Sequence, residues 1–281
     1  MNILLVFNRT AGWQSEERFN RLESELEAHG HRVRRVDSWQ IGVTPEVKHA
    51  DLICIAGGDG TARDVIAQLD GWADIPVCIY PTGTINLIAR EAGYGRNIAG
   101  FVKRISSAQP PRQHYVGRIT NKPFLACASV GPDSLAVAAV SADLKRRIGR
   151  FAYVVSLARL LWDWPRMRLS VSANGHIHRC EAAFVLKGHY FAGPWTLAPE
   201  ADLRKPDFQL LLLGKARRRD YLRLILFATT GSAFDSRSWQ RLSCNVAEID
   251  CEAAHPVQAD GDIVAHLPVR FEISDTAVRF V

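Results

Sequence analysis

The residues best suited to chemistry are three glycines, an aspartate and a threonine at Gly57-Gly58-Asp59-Gly60-Thr61. They follow the apolar run Leu52–Ala56, which predicts a short buried strand, and they precede apolar residues at helical spacing. Glycines let main-chain N–H groups approach an anion closely, and a helix N-terminus adds a favourable dipole. The stretch therefore predicts a strand, a tight turn and a helix suited to binding phosphate.

Two familiar phosphate-binding patterns do not fit this stretch. No Lys-Ser or Lys-Thr pair follows the glycines, as a Walker A loop requires, and the spacing is not G-x-G-x-x-G. Thr61 and Asp64 are three residues apart and resemble a capping box, which predicts that Asp64 caps the helix. A tight turn that binds no ligand remains the alternative for the motif taken alone.

A second polar loop follows the next predicted strand, Ile75–Tyr80. It reads Pro81-Thr82-Gly83-Thr84-Ile85-Asn86 and leads into another helical segment. The carboxyl ends of neighbouring parallel strands meet at one edge of a sheet. The two loops are therefore predicted to face one crevice.

The glycine motif resembles the signature of the diacylglycerol kinase catalytic domain family, which includes bacterial lipid kinases and sphingosine and ceramide kinases. It is more distantly similar to NAD kinases and 6-phosphofructokinases. The loop at Pro81–Arg90 resembles the second motif of the family, with Leu87 in place of an aspartate. The resemblance extends from Asn8 to about Ile273.

The resemblance implies an ATP-dependent lipid kinase. Asp59 is expected to orient Mg²⁺ directly or through water, and Asp260 to accept the proton of the lipid hydroxyl. Asp260 lies in Val257–Asp262, where Asp262 replaces a family glutamate; an Asp-Gly pair alone predicts only a hairpin turn. The nucleotide-contacting positions that the resemblance implies are Asn8, Thr10, Gly12, Ser38, Gly57, Gly58, Asp59, Gly60, Thr61, Asp64, Thr84 and Asn86.

One departure concerns a loop that holds a structural Mg²⁺ in related enzymes. The Asp-Gly pair of the family falls on Lys205-Pro206 here. The loss of a carboxylate and the gain of a cation predict that this metal is absent, unless Asp202 or Asp207 compensates.

Two basic segments are candidates for contact with anionic lipid. The segment 143–168 is rich in Lys and Arg and carries Trp162 and Trp164, and a second basic run spans Lys215–Arg219. A membrane interface and an ordinary packed helix with solvated basic ends both fit the pattern.

The 281 residues suit two domains. Residues 1–111 are predicted to form an α/β domain with a parallel sheet. Residues 112–267 are predicted to form a β-rich antiparallel sandwich, which the resemblance implies takes the lipid, and the segment 268–281 is expected to pack back on the first domain.

The composition indicates which classes of binding partner the protein can have. The net charge of +6 is modest and fits an anionic nucleotide or membrane surface, with no nucleic acid expected. The six cysteines form no C-x-x-C pair, and neither a signal peptide nor a membrane-spanning stretch is predicted. We therefore expect a cytoplasmic, peripherally membrane-associated protein, with a homodimer also considered.

The acceptor stays open at this point. Diacylglycerol is the default, with ceramide, a sphingoid base and phosphatidylglycerol as other lipid acceptors. An NAD kinase-like enzyme acting on a soluble substrate is the second alternative, and a catalytically weak nucleotide- or lipid-binding regulator is the third.

Overall fold

The computed structural model describes residues 1–8, 16–69, 74–107, 109–140, 151–160, 162–230 and 239–281. The chain divides into two compact units. The first comprises Met1–Tyr115 and Asp275–Val281, and the second comprises Val116–Ser274. The points of division fall within two strands, β5 (Arg112–Ile119) and β16 (Val269–Phe280).

The first unit is built on a parallel sheet with the strand order β2, β1, β3, β4. The end of β16 adds to it, with Phe280 beside Val77 in parallel pairing. The strands are β1 (Asn2–Phe7), β2 (Arg32–Asp37), β3 (Leu52–Gly57) and β4 (Val77–Pro81). The helices are α1 (Glu16–Ala28), α2 (Asp59–Gln68), α3 (Leu87–Glu91) and α4 (Ile98–Ser106), with short 3₁₀ turns at Ile41–Val43 and Pro45–His49.

The continuous apolar runs explain why the strands of this parallel sheet are buried. All six residues of β3 are buried, as are all five of β4. Strands buried on both faces are typical of parallel sheets covered by helices. Among those helices, α1 buries Leu22 and Leu26, one turn apart, on its apolar face.

The second unit is an antiparallel β-sandwich. One sheet has the order β12, β11, β10, β7, β14, β15, and the other contains the first part of β16 followed by β13, β8 and β9. Its remaining strands are β6 (Lys122–Phe124), β7 (Cys127–Val130), β8 (Leu169–Ala173), β9 (His176–Cys180), β10 (Ala182–Leu186), β11 (Phe208–Leu213), β12 (Trp239–Cys244), β13 (Val246–Asp250), β14 (Pro256–Ala259) and β15 (Asp262–His266). Its helices are α5 (Pro132–Ala138), α6 (Phe151–Leu160) and α7 (Arg218–Thr230).

The core of this unit lies between the two sheets. Val185 and Leu210 from one sheet and Val171 and Ile249 from the other belong to a single buried apolar cluster. Alternating burial along β8 shows that one face of this strand turns inward. The predicted fold class, a parallel α/β unit and an antiparallel sandwich, is confirmed.

Two stretches of sequence predict elements whose bounds differ from those in the structure, and each difference has a local cause. The run Pro123–Ala128 predicts one strand, but it is divided between β6 and β7, because the intervening main-chain N–H groups bind a carboxylate described below. The run Tyr221–Thr229 predicts a helix, and α7 begins three residues earlier, at Arg218. Asp220 accepts the N–H of Arg217 at 3.2 Å, which stabilises an earlier first turn.

The cysteines are free thiols, and five of the six are buried. Among the described helices, none combines the length and apolar character needed to cross a bilayer.

Candidate active site

The predicted nucleotide-contacting residues of the first unit follow the carboxyl ends of its parallel strands. Asn8 follows β1, Ser38 follows β2, Gly58 follows β3 and Thr84 lies in the loop after β4. The main chain of Ser38 connects neighbouring elements, since its N–H donates to Phe7 O at 2.8 Å. The fold thus brings these positions to one edge of the sheet, where ligands of open α/β sheets bind.

The two glycine loops are in direct main-chain contact. A Cβ atom added to Gly83 would lie 2.5 Å from Gly58 Cα, and the Thr82 N–H donates to Gly57 O at 3.1 Å. A side chain at either glycine would separate the loops. The predicted meeting of the two motifs at one edge is therefore present as a single continuous main-chain surface.

Helix α2 begins at Asp59, with Gly58 as its N-cap and no side-chain cap. The N–H groups of a first helical turn have no partner within the helix and can receive an anion. Thr61 is buried, and a Cβ at Gly57 would lie 2.5 Å from Thr61 Cβ. The predicted capping role of Asp64 is wrong: the helix begins five residues earlier, and the exposed Asp64 carboxylate instead binds the Arg63 guanidinium at 3.3 Å.

Asp59 and Asn86 fix the shape of the second loop. Asp59 Oδ1 accepts the Ile88 N–H at 3.0 Å, at the start of α3. Asn86 has φ +56° and is buried, and its side-chain amide bonds both the N–H and the C=O of Gly83 at 2.8 and 2.7 Å. Asn86 thus shapes the loop from within, whereas Thr84 is exposed on it.

Two arginines beside these loops were missed by sequence reasoning. Arg96 Nη2 donates to Gly83 O at 2.7 Å. Arg18 Nε donates to the Tyr80 hydroxyl at 2.9 Å, and that hydroxyl donates to Arg96 O at 3.0 Å. Guanidinium groups suit phosphate. Neither arginine belongs to a motif. A sequence feature that pointed to them was Tyr80, because a tyrosine at the end of an apolar strand has a hydroxyl group that needs a hydrogen-bond partner.

Some predicted residues lie outside the described part of the chain. Thr10 and Gly12 belong to residues 9–15, and the basic start of the segment 143–168 falls within residues 141–150. Their proposed roles stay predictions.

Asp260 lies in the second unit, in the two-residue turn of the β14–β15 hairpin. Its φ is +50° and that of Gly261 is +88°, as a type I′ turn requires. Asp260 is 8% exposed as a residue, and its carboxylate accepts the N–H groups of Leu125, Ala126 and Cys127 at 2.8, 2.9 and 3.2 Å. Three main-chain donors fix the carboxylate in position, which a simple hairpin turn does not need.

A chain of hydrogen bonds, called the turn relay here, supports this hairpin from inside the unit. The Gly261 N–H donates to Gln258 Oε1 at 3.2 Å, and Gln258 Nε2 donates to Ser129 Oγ at 2.7 Å. Ser129 in turn donates to the Asp133 carboxylate, which also accepts the Tyr221 hydroxyl at 3.1 Å. Burial raises the pKa of Asp133, partly offset by these two hydroxyl donors. The turn is thereby linked to α5 and α7.

The loop predicted to have lost its metal contains an internal cation. Lys187 is completely buried, and its ammonium group donates to the main-chain oxygens of Asp202 at 2.9 Å and Lys205 at 2.8 Å. Carbonyl oxygens are also the ligands that hard cations prefer. The Lys187 ammonium therefore already supplies a cationic donor to two carbonyl oxygens of this loop.

The two acidic side chains that could have compensated are engaged elsewhere. Both Asp202 oxygens accept from the Arg204 guanidinium at 2.6–3.1 Å, and this contact lowers the pKa of Asp202 to about 2. Asp207 Oδ2 accepts the Ser243 hydroxyl at 2.6 Å. Within the described ranges, no three His, Cys, Asp or Glu side chains are grouped as metal ligands.

Lys187→Met is expected to lower the free energy of unfolding by about 2–4 kcal/mol, because the fully buried ammonium group is lost and two part-buried main-chain carbonyls lose their donor. Methionine keeps the apolar stem, so the loss of charge is the main change. Urea unfolding with EDTA present measures it. Lys122→Met is the matched control: this exposed lysine also donates to a carbonyl, Val264 O at 3.0 Å, and should change stability by less than about 0.5 kcal/mol. Equal effects at both positions would contradict a structural role for Lys187.

Models of two known domain families match this chain, one in its N-terminal part and one in its C-terminal part. The diacylglycerol kinase catalytic domain model matches residues 2–117, and the YegS C-terminal NAD kinase beta sandwich-like domain model matches residues 126–281. The chain belongs to the diacylglycerol kinase catalytic domain family, in its form with a YegS-type β-sandwich, and it is a kinase.

Named relatives span nearly the whole chain. A diacylglycerol kinase of Staphylococcus carnosus is 24% identical over 95% of this chain and 90% of its own length. One from Staphylococcus haemolyticus is 25% identical over 95% of this chain and 84% of its own. A crystal structure of a diacylglycerol kinase from Bacillus anthracis has a TM-score of 0.79 at 19% identity, covering 100% of this chain and 96% of that one. That likeness shows the shared fold.

Proposed function

We propose that this protein is an ATP-dependent lipid kinase that transfers the γ-phosphoryl group to the hydroxyl of diacylglycerol. The observation that carries the proposal is the continuous surface of Gly58 and Gly83 at the start of α2. Phosphoryl transfer depends mainly on positioning and charge neutralisation, which such a surface supplies. The names of the relatives favour diacylglycerol among the lipid acceptors.

The phosphates would be held by main-chain N–H groups of Gly57–Thr61. Thr84, exposed on the neighbouring loop, would contact the nucleotide, and Arg96 would add positive charge beside Gly83. Asn8 and Ser38, which follow β1 and β2, would border it at the same edge. These roles use groups that the fold already places along one sheet edge.

Asp59 would hold Mg²⁺ in this proposal. Mg²⁺ in kinases keeps several waters and is bound through one or two carboxylates together with the substrate phosphates. A single carboxylate at the start of α2 fits that requirement. When bound, the metal would neutralise charge on the phosphates.

Asp260 would act as the general base on the acceptor hydroxyl. Its carboxylate is fixed by three main-chain donors, so it is positioned before the substrate arrives. The acceptor would be met at a membrane surface by a cytoplasmic protein that associates peripherally.

The test is transfer of labelled γ-phosphate from ATP to a panel of lipids in mixed micelles, with Mg²⁺ or with EDTA. The panel contains diacylglycerol, ceramide, a sphingoid base and phosphatidylglycerol, with NAD as a soluble acceptor. Label on diacylglycerol, dependent on Mg²⁺, is the expected result. Label on another lipid would change the acceptor, whereas label on NAD or ATP binding without transfer would overturn the proposal.

A further inference from the structure

Helix α7 presents an apolar face outward. Leu222, Ile225 and Leu226 are 59%, 41% and 37% exposed. The opposite face of the helix is buried through Tyr221, Leu224, Phe227 and Ala228. A helix packed on one side normally carries polar residues on the other. The outward apolar residues therefore call for a partner.

The polar residues at the end of α7 do little to hydrate this face. The Thr229 hydroxyl donates to the carbonyls of Ile225 and Leu226, both at 3.0 Å, and the Thr230 hydroxyl donates to Leu226 O at 2.6 Å. These hydroxyls are satisfied by their own helix. The last turn therefore extends the apolar surface.

A second exposed apolar group lies at the other end of the helix. Trp162 is 91% exposed, and its carbonyl accepts from Arg218 Nη2 at 3.4 Å. Trp164, by contrast, is packed: its indole N–H bonds Ala216 O at 2.5 Å, and its ring lies edge-on to Tyr221 at 5.2 Å. Of the two predicted interfacial tryptophans, the exposed one is thus Trp162.

The charges on this part of the surface are mainly positive. Arg218, Arg219 and Arg223 are exposed on the outward side of α7. The acidic residue of the helix, Asp220, is buried and pairs with Arg217 at 3.0 Å. Asp163, the residue after Trp162, is an exposed acidic residue. An apolar stripe flanked by arginines is the composition of an interfacial membrane helix.

We propose that the outward face of α7, together with Trp162, docks on an anionic lipid bilayer. This inference rests on the proposed function, because only a membrane-borne acceptor requires such a surface. The charge pattern favours a membrane over a second copy of this chain. A two-fold interface through this face would place identical arginine clusters close together, whereas anionic headgroups complement them.

The docking helix is connected to the proposed base. Tyr221, on the inner face of α7, bonds Asp133, which the turn relay joins through Ser129 and Gln258 to the Gly261 N–H. The hydroxyl, carboxylate and amide groups of this relay are largely withdrawn from water. Docking through α7 therefore holds the Asp260 turn in a set position relative to the bilayer.

Vesicle co-sedimentation of the full chain tests the proposal, with no nucleotide and no diacylglycerol present. Vesicles of phosphatidylcholine alone are compared with vesicles that also contain phosphatidylserine. We expect tighter binding to the anionic vesicles, at least tenfold weaker binding for L222S/L226S, and a similar loss for R219Q/R223Q. I177S is the matched control, since Ile177 is an exposed apolar residue on β9 of the same unit and should bind as wild type does.

Circular dichroism measures whether the variants are folded, and light scattering measures whether the protein is a monomer or a dimer. Retained helical signal in L222S/L226S shows that a loss of binding is not a loss of folding. Wild-type binding by both double variants would overturn the proposal. So would a wild-type dimer that becomes monomeric in L222S/L226S, because the face would then be an interface between copies. The vesicle assay needs no phosphoryl transfer. A failure to bind vesicles therefore does not contradict the kinase proposal, and vesicle binding can still be measured if the protein transfers no phosphate.

Discussion

Asp260→Asn is expected to lower the rate of lipid phosphorylation by about 10²–10⁴-fold, the usual contribution of a general base. Asparagine has nearly the same shape but cannot accept the hydroxyl proton. The loss should appear in kcat, while the Kd for ATP changes little, because the glycine loops belong to the other compact unit. Initial rates in mixed micelles and equilibrium nucleotide binding measure the two quantities.

The same substitution also disturbs a structural contact, so the assay needs a folding control. The asparagine oxygen can replace one carboxylate oxygen, but its NH₂ group would face one of the donors from Leu125–Cys127. We expect a lower melting temperature together with a cooperative transition. Asp250→Asn, at an exposed aspartate in the same unit, should leave both rate and stability near wild type. Near-normal kcat in a folded Asp260→Asn protein would rule out the base.

Gly83→Ala is expected to weaken ATP binding about 5- to 100-fold. The new Cβ would lie 2.5 Å from Gly58 Cα and 2.8 Å from Asn86 Oδ1, so the loops must separate. Overpacking of this kind costs about 1–3 kcal/mol, and each 1.4 kcal/mol corresponds to about tenfold in affinity. Titration calorimetry below the melting temperature of the variant measures the effect.

Gly95→Ala is the matched control for this prediction. Gly95 lies in the same unit, and a Cβ added there would meet nothing within 4 Å. Its affinity for ATP should equal that of the wild type. If Gly83→Ala were folded and bound ATP as tightly as Gly95→Ala, the joined loops would be an element of structure alone.

Local sequence predicted the structure correctly where an element depends on one short segment alone. The apolar runs predicted buried strands such as β3 and β4, and the glycines after them predicted tight turns. The Asp-Gly pair predicted the hairpin that Asp260 and Gly261 form. The capping prediction for Asp64 was wrong because the helix begins at Asp59, with Gly58 and not Thr61 as its N-cap. A capping box specifies hydrogen bonds but not the residue at which the chain turns.

The sequence by itself determined the apolar strands and the pair of glycine loops, because apolar periodicity and turn chemistry act over a few residues. The family came from the resemblance of the two glycine-loop motifs to those of known kinases. Only the tertiary structure decided which distant groups meet. It placed Arg96 on Gly83, the Lys187 ammonium on the carbonyls of the 202–205 loop, and three amides on the Asp260 carboxylate. Asp260 lies 133–135 residues from those amides. Such contacts depend on how strands pair and sheets pack, and no local pattern in the chain encodes that pairing.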